Sequence, residues 1–311
     1  MTEEKTWVGI DVSKEVLDIY VLPQGLTLQQ PNSDVGVQSL IEQLHPLSPS
    51  LVVVESTGGL ERALVSGLQA ATIPVAIANP RKVKGFATAL GKAKTDKLDA
   101  QVIAQFARAV QPQPQPVVAP QAQQLSDLVR RRQQLVEMQV AEKNRLSRAS
   151  ETVQLDIKAH IEEIQQRIES LNEQIQSLAQ QQADWQRKNE ILQSVKGIGK
   201  VSSALCLAEL PEMGTLSEKQ IARLVGVAPI NHDSGQHKGK RMISGGRTSV
   251  RCGLYMATLV AIRHNPVIRK FYERLLTNGK LKKVALVACM RKLLVILNAM
   301  IRDNKCWQAP A

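Results

Sequence analysis

Between residues 6 and 110 the apolar positions change period several times. From Thr6 to Leu22 they alternate: Trp7, Gly9 and Asp11 fall on one side of an extended chain, Val8, Ile10 and Val12 on the other. That alternation predicts a β-hairpin. A helical period follows over residues 36–44, and an unbroken apolar run, Leu51 to Glu55, reads as a buried strand. A second helix is expected over about 60–71 and a short strand over 73–78. Pro80 then opens a third helix, in the first-turn position that proline favours, and a fourth runs over about 96–110. Strands alternating with helices predict an α/β domain built on a mixed sheet, over residues 1–112.

From Gln111 to Pro120 the pattern stops. Prolines alternating with glutamine cannot continue a helix, so residues 113–124 read as an extended, semi-rigid linker. Over residues 125–188 the helical period returns at length. Ile157, Ile161, Ile164, Ile168, Leu171, Ile175 and Leu178 are spaced 4-3-4-3-4-3, with Trp185 one heptad further on. This is an a/d seam roughly 33 Å long at the α-helical rise. An earlier helix over about 125–151 is a plausible antiparallel partner, although the seam suits pairing between protomers equally well. Residues 189–311 then predict a mostly helical domain. It opens on Val195-Lys-Gly197-Ile-Gly199-Lys200, which has the shape of a helix-hairpin-helix turn or of a plain interhelical turn, and a Gly/Ser/Lys loop follows over 231–246.

Composition narrows the function. Forty Lys and Arg against 28 acids give +12 over 311 residues, but the charge is uneven. Residues 236–305 hold sixteen Lys and Arg and two acids, Glu273 and Asp303; their +14 leaves −2 for the rest of the chain. A near-neutral body with one strongly basic module is the footprint of a phosphate-backbone binder. Lys200, Lys238, Lys240, Arg241, Arg247 and Arg251 are the candidates for nucleic-acid contact. Aromatic residues make up only 3%, so binding is expected to rest on phosphates and shape rather than on stacked bases. No uninterrupted apolar run reaches the ~18 residues of a membrane span, and the first residues hold no apolar signal segment. Four widely spaced cysteines exclude a disulfide scaffold and a zinc ribbon. A soluble, cytoplasmic, nucleoid-associated protein with no membrane partner is expected.

Four carboxylates stand where metal chemistry would want them. Asp11 lies in the first strand, Glu55 ends the apolar strand, and Asp96 and Asp99 sit three apart at a helix start, on one face. A carboxylate inside a strand is costly unless paired or bound to a cation. Mg²⁺ is bound by hard oxygen ligands of this type, and two such ions can activate a nucleophile and stabilise a leaving oxygen. Asp96 and Asp99 taken alone would be an N-cap and a first-turn acid. Glu55 alone would be a strand-end surface residue, and Asp18, Asp34 and Glu61 are assigned to that surface class.

These segments resemble those of the DEDD transposases of bacterial insertion sequences, which are related to the Piv/MooV-type DNA invertases. The resemblance is carried by G-I-D-V-S-K around Asp11, V-V-V-E-S-T-G around Glu55, N-P-x-x-V-K-x-F from Asn79, and K-T-D-x-L-D-A around Asp96 and Asp99. It continues through V-K-G-I-G at Val195, L-V-G-V-A-P at Leu224, Asp233-Ser234-Gly235 and R-M-I-S-G-G-R from Arg241. It implies an N-terminal RNase H/RuvC-like domain whose acids Asp11, Glu55, Asp96 and Asp99 bind Mg²⁺. It also implies a coiled-coil arm and a helical C-terminal transposase domain with Ser234 as catalytic residue. The reaction so implied is transposition or site-specific recombination through a covalent phosphoserine. A structured bridge RNA pairs with donor and target DNA, and homodimers assemble to a tetramer on DNA, the acids of one protomer completing a site with the serine of another. Without the resemblance, Ser234 would be an ordinary turn residue.

Two other classes compete. A metal-dependent Holliday-junction-type nuclease of RNase H fold would use the same acids with water as nucleophile. An architectural nucleic-acid binder would carry the acids as vestiges.

Overall fold

In the structure, a computed structural model, residues 5–91, 96–115, 119–231, 233–234, 237–239 and 241–308 are described. The chain divides into two compact units, residues 1–118 and 119–311.

The first unit is built on β1 (Trp7–Val12), β2 (Val16–Leu22), β3 (Leu26–Pro31), α1 (Asp34–Leu44), β4 (Leu51–Glu55), α2 (Arg62–Ala70), β5 (Val75–Ala78), α3 (Pro80–Ala89) and α4 (Asp96–Val110). The five strands form one sheet in the order β3-β2-β1-β4-β5. The first three are antiparallel to one another, and β1, β4 and β5 run parallel. This is an RNase H/RuvC-like arrangement. β1 and β4 are buried on both faces because helices cover both sides. Val8, Ile10, Val12, Val52 and Val54 pack with Val37, Leu40, Leu64 and Leu68 of α1 and α2. Trp7, Leu51, Val53 and Ala78 pack instead with Val83 of α3 and Ile103, Phe106 and Ala107 of α4. Each fully buried side chain of this size stabilises the layer by ~1.5–3 kcal/mol. Ser33 caps α1 by accepting from Gly36 N–H, and Asn79 caps α3 by accepting from Arg81 N–H ahead of Pro80.

β3 has no counterpart in the expectation from sequence. It is an edge strand whose side chains are mostly exposed, with only Leu28 packed on the core, so its hydrophobic alternation is faint. The linker expected over 113–124 is also shorter than the sequence suggested. Gln115 N–H donates to Val75 O at 2.8 Å, docking the chain on β5, and helix begins at Pro120.

The second unit comprises α5 (Pro120–Leu146), α6 (Glu151–Gln180), α7 (Ala183–Gln193), α8 (Lys200–Glu209), α9 (Glu218–Val225), β6 (Pro229–Ile230), β7 (Asp233–Ser234), β8 (His237–Lys238), β9 (Met242–Ile243), α10 (Thr248–His264), α11 (Pro266–Thr277) and α12 (Lys282–Arg302). α5 and α6 pack antiparallel within the one chain. Leu135 meets Ile164 and Ile168, while Leu125 and Val129 cluster with Ile175 and Leu178. Arg132 Nε donates to Asn172 Oδ1 at 2.6 Å between these layers, and Gln139 Nε2 to Gln165 Oε1 at 2.8 Å beyond Leu135. The seam expected to reach Trp185 stops earlier. α6 ends at Gln180, and Trp185 lies in α7, half-buried against the cluster of Leu125 and Ile175.

The remaining helices share one core, with Ile191, Leu192, Val225, Leu254, Ala261, Leu293 and Leu297 at its centre. α12 is long and apolar enough to cross a membrane by composition, Arg291 and Lys292 notwithstanding. Half of its apolar window is buried in this core. The Gly-Ile-Gly turn is explained in part by packing: Gly197 has φ +112°, and a Cβ there would stand 2.7 Å from Ala261 Cβ. Ile198 is buried beside it, whereas a Cβ on Gly199 would meet nothing.

Candidate active site and nucleic-acid interface

Sheet register brings two of the four acids together. β1 and β4 are parallel, with Ile10 opposite Val54 as their last pair, and Asp11 and Glu55 each follow directly in their own strands. Neighbouring strands lie ~4.8 Å apart, and residues at one register position share a face. Trp7 and Gly9, then Leu51 and Val53, alternate onto the face that α4 covers; Asp11 and Glu55 continue that alternation to the ends of their strands.

Gly9 fixes how closely α4 approaches. A Cβ on it would collide with Ala104 N and Ala100 O, so the helix rests directly on strand backbone. Trp7 packs with Ile103, Phe106 and Ala107, and Gly9 with Ala100 and Ala104. Toward Asp11 the helix therefore presents its N-terminal turn, which starts at Asp96 and includes the partly buried Asp99. Backbone placement thus gathers all four acids at one end of the sheet; the Asp96 side chain lies outside the described residues. Among the described residues no group of three His, Cys, Asp or Glu is drawn together closely enough to hold a metal ion.

The loops leaving the two strands are braced. Asn32 Nδ2 donates to Ser13 O at 2.8 Å and to Leu60 O at 3.4 Å, linking the turn after Asp11 to the loop after Glu55. Glu61 is buried, and its Oε2 accepts from Thr57 Oγ1 at 2.6 Å, Gly59 N at 2.9 Å and Thr57 N at 3.2 Å. Burial pushes this carboxyl up, but hydrogen bonds from Thr57 and from loop N–H groups outweigh it and hold it below the ordinary carboxylate range. Glu61 is no surface residue. It stands two residues after Gly59, where a solvated carboxylate would read the same in the sequence.

Ser234 lies on a hairpin rather than in an irregular loop. Pro229 pairs with Ile243 and Ile230 with Met242, then Asp233 with Lys238 and Ser234 with His237. Ser234 occupies the last described pair, at the far end from the helices. Strands of two residues each carry no readable alternation, which is why this hairpin is invisible in the sequence. His232, Gly235 and Gln236 lie outside the described residues.

The six expected cations divide. Arg241 is exposed, and Lys200 is exposed with Nζ donating to Gln176 Oε1 at 3.1 Å. Lys238 lies in β8 with its side chain outside the described residues, and Lys240 lies outside them altogether. Arg247 is committed within the fold: Nη1 and Nη2 donate to Glu212 Oε2 and Oε1 at 2.7 and 2.6 Å, and Nη1 also to Glu209 O at 2.7 Å. Burial raises the Glu212 carboxyl, yet the Arg247 hydrogen bond and charge hold it below its ordinary range. Arg251 donates from Nη1 to Gly245 O and to Val225 O, and from Nη2 to Thr248 Oγ1.

Residues 8–153 match the transposase family of DEDD IS110 type, and residues 189–273 match the "Transposase IS116/IS110/IS902 family". The chain is 29% identical to the pilin gene-inverting protein of Moraxella lacunata and 28% to that of Moraxella bovis, over 97% of each chain in both cases. It is also 35% identical over 125 residues to the insertion element IS900 uncharacterized 42 kDa protein of Mycobacterium paratuberculosis, 39% of this chain and 31% of that one. Among solved structures it is similar to Thermus thermophilus RuvC in complex with Holliday junction substrate, 19% identical over 36% of this chain and all of that one, with TM-score 0.29. Two successive matches from one transposase family, spanning both the acid-bearing sheet and the helical unit with its serine hairpin, agree with relatives aligned end to end: the chain belongs to the DEDD transposases of the Piv and IS110 type, enzymes of transposition and recombination.

Proposed function

We propose that the protein is a Mg²⁺-dependent DNA recombinase that cleaves and exchanges strands through a covalent bond between Ser234 and DNA, guided by a structured bridge RNA. The observation that carries the reading is that Asp11 and Glu55 each directly follow the last pair, Ile10 and Val54, of two neighbouring parallel strands, at the end of the sheet toward which the helix with Asp96 and Asp99 begins. The donors are all carboxylate oxygens, two of them on neighbouring strands, and they suit a hard dication. Asp11, Glu55, Asp96 and Asp99 would hold Mg²⁺, which when bound offsets charge developing on the phosphate and leaving oxygen.

Ser234 contributes the covalent step. Its Oγ forms a bond to phosphorus while a deoxyribose oxygen leaves; the hydroxyl proton passes to solvent or a nearby base, and the leaving oxygen gains a proton. Reversal onto a different strand end exchanges strands without net hydrolysis. Placement at the far end of a hairpin supports the assignment, because a nucleophile there can reach a phosphodiester that the body of the domain cannot enter. The excess of cations over acids in residues 236–305 supports binding of donor and target DNA and of the RNA. Bridge-RNA guidance, a homodimer that becomes a tetramer on DNA, and a cytoplasmic, nucleoid-associated setting follow from the family resemblance. Exposed Met138, Val140, Val153 and Leu155 on the α5–α6 pair offer apolar surface for association.

The test is a covalent-adduct assay with Mg²⁺, donor and target DNA and RNA transcribed from the flanks of the element. DNA that survives denaturation on the protein, and is lost in both Ser234→Ala and Asp11→Ala, is the expected result. Cleavage without adduct that persists in Ser234→Ala would replace this reading with a nuclease that uses water.

A further inference from the structure

Arg247 and Arg251 meet at the neck of the Ser234 hairpin. Gly226 ends α9 and leads into β6, while Gly245 and Gly246 follow β9. A Cβ on Gly226 would collide with Gly245 O and stand 2.6 Å from Arg251 Nη1; one on Gly246 would collide with Gly226 N. The two backbones therefore touch, at φ +79° and +74°, which only glycine tolerates without strain. Across this crossing Arg251 Nη1 donates to Val225 O at 3.3 Å on the incoming side and to Gly245 O on the outgoing side. Arg247 N–H donates to Leu224 O at 3.0 Å, and its guanidinium grips Glu212 after α8.

We propose that Arg247 and Arg251, with Glu212, are positioning residues: a clasp across the neck that fixes the angle at which the hairpin leaves the helical unit, and not phosphate contacts. The proposal rests on the reading of Ser234 as nucleophile. A short two-stranded ribbon has little stability of its own. Ser234 lies four residues beyond Ile230, a reach of at most roughly 13 Å for a chain of that length. Play of some tens of degrees at the neck therefore moves the serine by several ångström, against the ~3–3.5 Å separation that reacting atoms need.

Arg251→Lys keeps the charge and removes the planar guanidinium that reaches Val225 O, Gly245 O and Thr248 Oγ1 together. Amide exchange over residues 229–243 without nucleic acid is expected to rise at least tenfold in this variant. Adduct formation at saturating DNA is expected to fall at least tenfold, with DNA affinity and its salt slope unchanged. Arg247→Glu is expected to lose adduct formation and to recover it when Glu212→Arg is added, a reversal that cannot restore a phosphate contact. If instead Arg247→Ala and Arg251→Ala each lower the salt slope by about one and saturating DNA restores adduct formation, both are phosphate contacts and the proposal falls. Unchanged hairpin exchange in Arg251→Lys overturns it as well. Should Ser234→Ala retain the adduct, the nucleophile reading fails, while the exchange experiment still decides the clasp.

Discussion

Glu61 shows how much a single carboxylate does beside the acid cluster. Three donors converge on one of its oxygens, and they shape the loop that Glu55 leads into. Replacing it with alanine orphans two backbone N–H groups and a hydroxyl, a loss of about 1–3 kcal/mol per unsatisfied group. Its depressed pKa gives the effect a direction. The stabilisation is fully present above the unfolded carboxylate value and is lost as pH falls through the lower folded value. Chemical denaturation from pH 6 down to about pH 3 is expected to show a drop in stability over the acid end of that range. The drop should be smaller in Glu61→Gln; an identical pH profile in the variant would remove the brace from the account. Asp11 and Glu55 were legible because acids break an otherwise apolar alternation. Glu61 was not, because a buried, fully bonded carboxylate and a solvated one look alike in a sequence. The hydrogen bonds that Arg247 and Arg251 make within the fold were hidden for the same reason: net charge counts an arginine without saying what it already holds.

Periods long enough to average out were legible at the level of elements, and short ones were not. The apolar run of β4 and the seam of α6 each bury the residues their spacing predicted, Val52 to Val54 in one and Ile164, Ile168, Ile175 and Leu178 in the other. At the turn end of the helix pair, Ile157 and Ile161 stay half-exposed, level with the polar Gln139 and Glu142 of α5. The β6–β9 and β7–β8 ladders were missed, since two residues define no period. Pairing of α5 with α6 inside one chain makes a direct prediction. Aspartate at both Ile164 and Ile168 puts charge opposite Leu135, in a layer where each apolar deletion alone costs ~2–5 kcal/mol. Circular dichroism is expected to lose helix equivalent to much of the pair, with recombination lost. Unchanged helicity and unchanged solution mass would contradict the packing.

Across the whole molecule, charge and chemistry are divided between two units. The acids belong to residues 1–118, and the serine and the basic helices to 119–311. The division was readable as a break in pattern at the proline-glutamine run, though docking of Gln115 on β5 and the helix start at Pro120 leave less free chain than the composition suggests. Sixteen cations against two acids in one stretch predict that nucleic-acid affinity falls steeply with salt. Log affinity against log salt is expected to be linear with a slope of several units, each phosphate contact adding roughly 0.7–0.9. A flat plot would show that the basic helices face something other than phosphate.

The contact of α4 with bare backbone at Gly9 also bears on how copies of such an element are read in a genome. Any side chain there lifts the helix, and with it Asp96 and Asp99, away from Asp11 and Glu55. On the proposed role of these acids, a copy that keeps all four and the serine but has mutated at position 9 would be silent, indistinguishable from a mobile copy by an inventory of its reactive groups.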